Sequence, residues 1–138
     1  MPRRLTLLAL LAAAVASAAA AGCSLVTGPR TESFVIRVDS LTGYTAFPGA
    51  LAAEQLVWAH VGPNGCHRFV RFEVARAGAR MDVTAIGERT TGAGIACTQA
   101  IVALYGEPLH VDPPIQRPLT IVVHQPDGTT LTRELWGE

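Results

Sequence analysis

The chain has 138 residues, eleven basic and eleven acidic side chains, and an isoelectric point near 6.9. This length fits a single domain. All eleven basic residues are arginine, and two of them lie within the first four positions. From residue 23 onward, nine arginines therefore stand against eleven acids, with no basic run. Binding to nucleic acid needs clustered cations that displace counterions, so this composition argues against it.

The N-terminal segment has the order of features found in secretory signal peptides. Arg3 and Arg4 precede an apolar run from Leu5 to Ala21 that is rich in leucine and alanine and ends in small residues. A run of this length is short for a membrane-spanning helix. The pattern predicts a cleaved signal peptide over residues 1–22.

The four residues Ala20-Ala21-Gly22-Cys23 resemble the lipobox of bacterial lipoproteins, with Ala20 at a position where that family usually has leucine. The resemblance implies that Cys23 is acylated, for example with palmitate, and becomes the mature N-terminus. The residue after it, Ser24, is not acidic, which by the same resemblance implies the outer membrane, at its periplasmic face or the cell surface.

Cleavage by the ordinary signal peptidase is the alternative, because Ala-x-Ala tripeptides also occur in this segment. The cysteine count separates the two possibilities. Ordinary cleavage before Cys23 leaves three thiols, one of them unpaired, in an oxidising compartment, whereas acylation leaves Cys66 and Cys97 to pair. Several acyl chains, at about 0.8 kcal/mol per buried CH₂, hold a protein stably on a membrane. We expect residues 23–33 to be a lipidated tether and residues 34–138 to be the domain.

The first half of the predicted domain contains two strands and a turn. Residues 33–39 alternate and predict a strand with three apolar residues on one face: Phe34, Ile36 and Val38. Residues 40–53 predict a loop. Residues 54–61 are apolar without clear alternation and predict a second strand, and Gly62-Pro63-Asn64-Gly65 predicts a turn.

A hairpin and a further strand are predicted next. Residues 66–76 predict a long strand with Cys66, Val70, Phe72 and Val74 facing the core, and residues 80–87 return antiparallel to it. Residues 88–94 predict a polar loop and residues 95–104 another strand.

Prolines and a turn define the C-terminal part. Four prolines argue against both helix and central strand in the connection that follows: Pro108, Pro113, Pro114 and Pro118. Residues 119–125 and 129–136 flank Pro126-Asp127-Gly128 and predict a closing hairpin.

About seven short strands without a helical period predict an all-β fold, an immunoglobulin-like antiparallel β-sandwich. Trp58 precedes both cysteines, so the Cys–Trp–Cys order of antibody domains is absent. An exported protein with two remaining cysteines on core-facing strands is expected to join Cys66 to Cys97. A redox or metal thiol pair is the alternative, but the Cys-x-x-Cys spacing of such pairs is missing.

The mature part also resembles a group of small bacterial lipoproteins and secreted domains. The residues that carry this resemblance are Asn64-Gly65-Cys66-His67-Arg68-Phe69, then Ala96-Cys97-Thr98-Gln99-Ala100, and a closing hairpin from Leu119 that turns at Gly128. The resemblance implies the same fold and disulfide and carries no mechanism.

The sequence contains no constellation that demands catalysis. The acids are scattered, and the glycine-rich residues 87–94 lack the Gly-Lys-Thr ending of a phosphate loop. The four histidines do not share a short ligand spacing, and of them only His60 and His67, which flank one turn, are weak candidates for a metal site.

We therefore expect a non-enzymatic, lipid-anchored β-sandwich of the cell envelope without a cofactor. It would meet the membrane through the lipid on Cys23 and bind an envelope protein or ligand, with residues 87–94 and 106–118 as candidate contact loops. The alternative is a periplasmic protein that binds a metal or small ligand through His60 and His67.

Overall fold

The computed structural model describes residues 28–44 and 53–135. Their regular structure consists of eight strands: β1 (Arg30–Val35), β2 (Val38–Tyr44), β3 (Ala53–Gly62), β4 (His67–Ala77), β5 (Arg80–Thr91), β6 (Val102–Val111), β7 (Leu119–His124) and β8 (Thr130–Leu135). The predicted signal peptide, Cys23 and most of the predicted tether lie outside these residues. Among the described residues, no helix is long and apolar enough to cross a membrane.

The strands form two sheets that pack as a sandwich. In the first sheet β5 is central, with β4 along one edge and both β1 and β7 along the other, and β8 pairs with β7. The second sheet has the order β2-β3-β6. The predicted all-β sandwich is confirmed. Eight strands are present in place of about seven, and the β5–β7 pair is parallel.

The core lies between the sheets. Alternate residues of β3, β5 and β7 supply much of it: Val57, Ala59, Val61, Met81, Val83, Ala85, Leu119, Ile121 and Val123. Ile36 and, on β6, Leu109 and Val111 are buried as deeply. Alternation places every second residue of a strand on the same face. In β3 this pattern is present although the sequence did not reveal it, and it turns Trp58 and His60 outward.

The first predicted strand is divided between the two sheets. The backbone N–H of Ile36 donates to Ala85 in the first sheet, at 2.8 Å, whereas Val38 pairs with Ala59 in the second. Arg37, between them, is exposed. Two boundaries were therefore wrong: β1 begins within the predicted tether, and β2 extends to Tyr44 through the start of the predicted loop.

A β-bulge at Val70 changes which side of β4 faces the core. Phe69 pairs with Gly87 and Arg71 with Ile86, so Val70 is the extra residue. Phe69 and Phe72 consequently both turn inward, with ring centroids 4.8 Å apart, and pack against the core. The predicted inward position of Val70 was wrong, because Val70 is the extra residue of the bulge and is exposed. The predicted inward position of Val74 was also wrong, since this side chain is exposed near the end of β4.

The predicted boundaries between residues 88 and 111 were also wrong. β5 continues to Thr91, residues 92–101 contain no strand, and β6 runs from Val102 to Val111 with Pro108 inside it. In the described part of the chain β6 pairs only with β3. Proline is tolerated on such an edge strand, where its missing N–H need not interrupt a ladder on both sides.

The closing hairpin agrees with the prediction. Gln125 donates its N–H to the carbonyl of Thr129, at 2.9 Å, and Gly128 adopts φ +80°. The Gln125 side chain exchanges two hydrogen bonds of 3.0 Å with the backbone of Val38. The turn between β7 and β8 is thereby bonded to the first residue of β2 in the second sheet.

Asp127 in this hairpin is expected to make stability depend on pH. Its carboxylate accepts hydrogen bonds from the Thr129 hydroxyl and N–H and from Arg37, which lower the pKa of Asp127 from 3.8 to about 2. Because the pKa is lower in the folded state, the stabilisation is complete above the unfolded value and is lost as the pH falls from about 4 toward 2. The Tm of the wild type should therefore fall more steeply over this range than that of Asp127→Asn. Equal slopes would contradict the expectation, and Asp112→Asn, at another exposed aspartate, serves as the control.

Candidate functional site

The outer face of the β2-β3-β6 sheet carries an exposed aromatic pair. Trp58 on β3 lies directly opposite Tyr105 on β6, with ring centroids 6.4 Å apart and planes at 82°. The side chains are 39% and 78% exposed, respectively. Buried aromatic pairs are a usual source of core stability, whereas this edge-to-face pair presents much of its surface to solvent.

Two local features hold this pair in place. The indole Nε1–H of Trp58 donates to the Thr42 hydroxyl on β2, at 3.2 Å. On the other side, Gly106 adopts φ +79° where the β3–β6 register shifts, and a Cβ there would lie 3.6 Å from Trp58 Cζ2. Glycine supplies the left-handed conformation of a bulge at little cost. The indole orientation is therefore set by a hydrogen bond and by the backbone beside it.

A shallow groove of about 240 Å³ lies beside the aromatic pair. Small side chains, among them Ala103, leave the space, and Ile101, which is 67% exposed, forms part of the rim. His60 and Asp39 contribute the polar groups. Asp39 reaches this position because the β2–β3 register shifts between Val38 and Ser40. The groove thus combines two aromatic rings, an aliphatic rim, an imidazole and a carboxylate.

Asp39 differs from most acidic side chains of the domain in having no ion-pair partner among the described residues. The six acids that are paired are Glu32, Glu54, Glu73, Asp82, Glu88 and Asp127. Of the described residues that line the groove, Asp39 is the one acid, and no arginine is among them. The groove therefore carries an uncompensated negative charge beside its aromatic rings.

The two histidines proposed as a metal pair have different surroundings. His60 lies on the outer face of the second sheet and lines the groove. His67 packs edge-on against Phe34, at 5.9 Å between centroids, and its Nδ1 is 2.9 Å from Asn64 Oδ1. A Cβ on Gly62 would lie 2.2 Å from the His67 ring, so this glycine makes room for the imidazole. Across the ranges 28–44 and 53–135, no group of three or more His, Cys, Asp or Glu side chains is placed to hold a metal ion.

The other two histidines are each paired with an acid. His110 contacts Glu54 at 3.1 Å, and His124 contacts Asp82 at 2.8 Å. Arg80 donates two hydrogen bonds to Asp82, and together with His124 it holds the pKa of that carboxyl well below its usual range. This ion-paired group lies on β5 and β7, and both carboxylate oxygens of Asp82 accept a hydrogen bond from Arg80.

The predicted disulfide is present and holds the segment that precedes the groove rim. Cys66 and Cys97 are joined with their Cα atoms 5.3 Å apart. Both cysteines lie outside the strands, one at the β3–β4 turn and the other in the segment 92–101, rather than on core-facing strand positions as predicted. The Gly65 N–H also donates to the Thr98 carbonyl, at 2.9 Å. The bond therefore fastens the segment that leads into Ile101 and the groove rim.

Both predicted contact loops overlap strands. Residues 87–91 belong to β5, and residues 106–111 belong to β6. The guanidinium of Arg76 donates to the carbonyls of Asp112 and Pro114, which holds the proline segment against β4.

Comparisons with known protein families, with curated proteins and with solved structures find no match for this chain. Interpretation of the site rests on its geometry. An open groove with two aromatic faces and one carboxylate is suited to binding a ligand by stacking, apolar contact and charge. Sequence reasoning named His60 but missed Trp58, Tyr105 and Asp39, which come together only through the strand register.

Proposed function

We propose that this chain is a non-enzymatic, lipid-anchored binding module of the bacterial cell envelope. The observation that carries the proposal is the exposed Trp58–Tyr105 pair beside the groove on the outer face of the β2-β3-β6 sheet. Exposed apolar surface rimmed by polar groups marks interaction sites, and aromatic side chains are enriched in them.

Two features support the envelope location. The signal-peptide pattern over residues 1–22 ends in the lipobox-like residues before Cys23. The Cys66–Cys97 bond belongs to the class of structural disulfides that persist in oxidising compartments. Acylation of Cys23 would account for the third cysteine, which has no partner in this pairing.

The start of β1 and the groove rim lie toward the same end of the sandwich. β1 begins at Arg30, opposite Thr91 at the end of β5. Gly28 lies beside Gly92, since a Cβ on Gly92 would be 3.1 Å from the Gly28 carbonyl oxygen. Residues 92–101 lead from Gly92 to Ile101, which lies at the groove rim directly before β6. A lipid on Cys23, five residues before Gly28, would keep the groove near the membrane surface.

Acylation is tested by the intact mass of the protein from its native membrane fraction. We expect the mass of a chain beginning at an acylated Cys23, with two alkylation sites that appear only after reduction. Replacing Cys23 with alanine should abolish incorporation of labelled palmitate, whereas Ser24→Ala should leave it unchanged. An unmodified mass for the wild type, with three free thiols, would contradict the proposal.

A further inference from the structure

We propose that the groove beside Trp58 and Tyr105 binds a soluble molecule that carries an alkylated ammonium group. This inference names a ligand for the binding module proposed above and rests on its claim that this sheet face is the binding surface. It does not depend on the acylation of Cys23.

The first argument is the arrangement of the aromatic rings. The Trp58 and Tyr105 planes meet at 82° with 6.4 Å between centroids, in an edge-to-face arrangement. The ring surface that remains exposed, 78% for Tyr105 and 39% for Trp58, is open to an organic cation beside the groove. Pairs and cages of aromatic side chains recognise quaternary ammonium groups in this way, through the negative face of each ring.

The second argument is charge. Asp39 supplies the one carboxylate of the groove's described lining and has no ion-pair partner among the described residues. A cation in the groove would be attracted by this carboxylate as well as by the rings. A neutral ligand would gain no attraction between net charges from it, and an anionic ligand would be repelled.

The third argument is that, apart from the aromatic pair, Asp39 and His60, the lining is apolar. Ile101 and Ala103 offer aliphatic contact and no hydrogen-bond acceptor from their side chains. A primary ammonium that leaves water for the groove needs acceptors for its three N–H groups, whereas N-methyl groups need only apolar contact. An alkylated ammonium therefore fits this groove better than a lysine-like ammonium does. The volume of about 240 Å³ suits a small group rather than a folded partner.

The test is calorimetric titration of the full-length chain, purified in a nonionic polyoxyethylene detergent, with choline. The matched probe is 3,3-dimethyl-1-butanol, which has the same shape with a carbon atom in place of the charged nitrogen. We expect choline to bind with Kd of about 1 mM and roughly tenfold more tightly than the neutral isostere. Equal affinities for the two probes, or no saturable binding of choline, would overturn the inference.

Variants then assign the binding to this groove. Asp39→Asn and Tyr105→Leu are each expected to weaken choline binding about three- to tenfold. Tyr105→Phe keeps an aromatic ring and should therefore retain choline binding. Asp112→Asn changes an exposed acid outside the groove lining and should bind choline as the wild type does. Asp39 and Tyr105 are both exposed, so these variants should keep the wild-type Tm. Binding that survives both changes would place choline elsewhere and refute the site.

The outcome is separable from that of the acylation test. If the native protein proves to be unacylated but binds choline, the groove assignment stands and the lipid anchor is refuted. An acylated protein with no preference for choline over its isostere would keep the anchor and refute the ligand.

Discussion

Replacement of Cys66 and Cys97 together by serine is expected to lower the free energy of unfolding by about 3–4 kcal/mol. The bond closes a loop with a sequence separation of 31 residues, and the chain-entropy relation for loops of this size gives that value. For a domain of this length such a loss is a large part of the total stability. Urea denaturation followed by circular dichroism measures it directly.

Reduction supplies the matched control for this prediction. Wild-type protein in reductant should unfold at the same urea concentration as the double variant, whose own midpoint should not respond to reductant. Loss of the bond should also increase hydrogen exchange in residues 96–101, because the Gly65–Thr98 hydrogen bond would be the remaining tie at that point. Unchanged stability of the double variant would mean that the bond adds nothing to the fold.

The pairing of these cysteines was predictable, but their position was not. The prediction assumed that the chain is exported and that Cys23 is acylated, which left Cys66 and Cys97 as partners. Alternation in β4 placed Cys66 in the core, yet the residue lies in the turn before β4, and the bulge at Val70 reverses the alternation that the prediction extrapolated. The number of cysteines, with Cys23 set aside, predicted which two would pair. The register of β4 against β5 determines where the bond lies, and the sequence does not show that register.

The hairpins were predictable because their signals are local. Pro126-Asp127-Gly128 lies between two alternating runs, and Gly78, at φ +58°, lies between β4 and β5. The crossing between sheets at Arg37 has no such signal. It depends on the hydrogen bond from Ile36 to Ala85 and on the pairing of Val38 with Ala59, both between residues distant in sequence.

The candidate groove was hidden for the same reason. Alternation about the buried Val57 and Ala59 places Trp58 and His60 on one face. The sequence did not reveal this alternation, because Leu56 and Trp58 on the other parity are also apolar. That Tyr105 joins them depends on the β3–β6 register, which shifts at Gly106. A bulge of one residue decides whether the two rings meet, and residue order alone does not specify it.

Replacement of Ile121 by alanine is expected to lower the free energy of unfolding by about 2–5 kcal/mol. Ile121 lies on β7 with no exposed side-chain surface, between the parallel partner β5 and the antiparallel partner β8. Truncation there removes buried methyl and methylene groups and leaves a cavity, because neighbours held by strands on both sides relax little.

The same substitution at Ile101 is the matched control, since that side chain is 67% exposed at the groove rim. Ile101→Ala should change stability by less than about 0.5 kcal/mol. The difference between the two variants in urea denaturation isolates the contribution of burial from that of the side chain itself. Similar losses for both would mean that the rim at Ile101 is packed as tightly as the core. A small loss for Ile121→Ala would mean instead that this position on β7 is packed less tightly than its burial between β5 and β8 indicates.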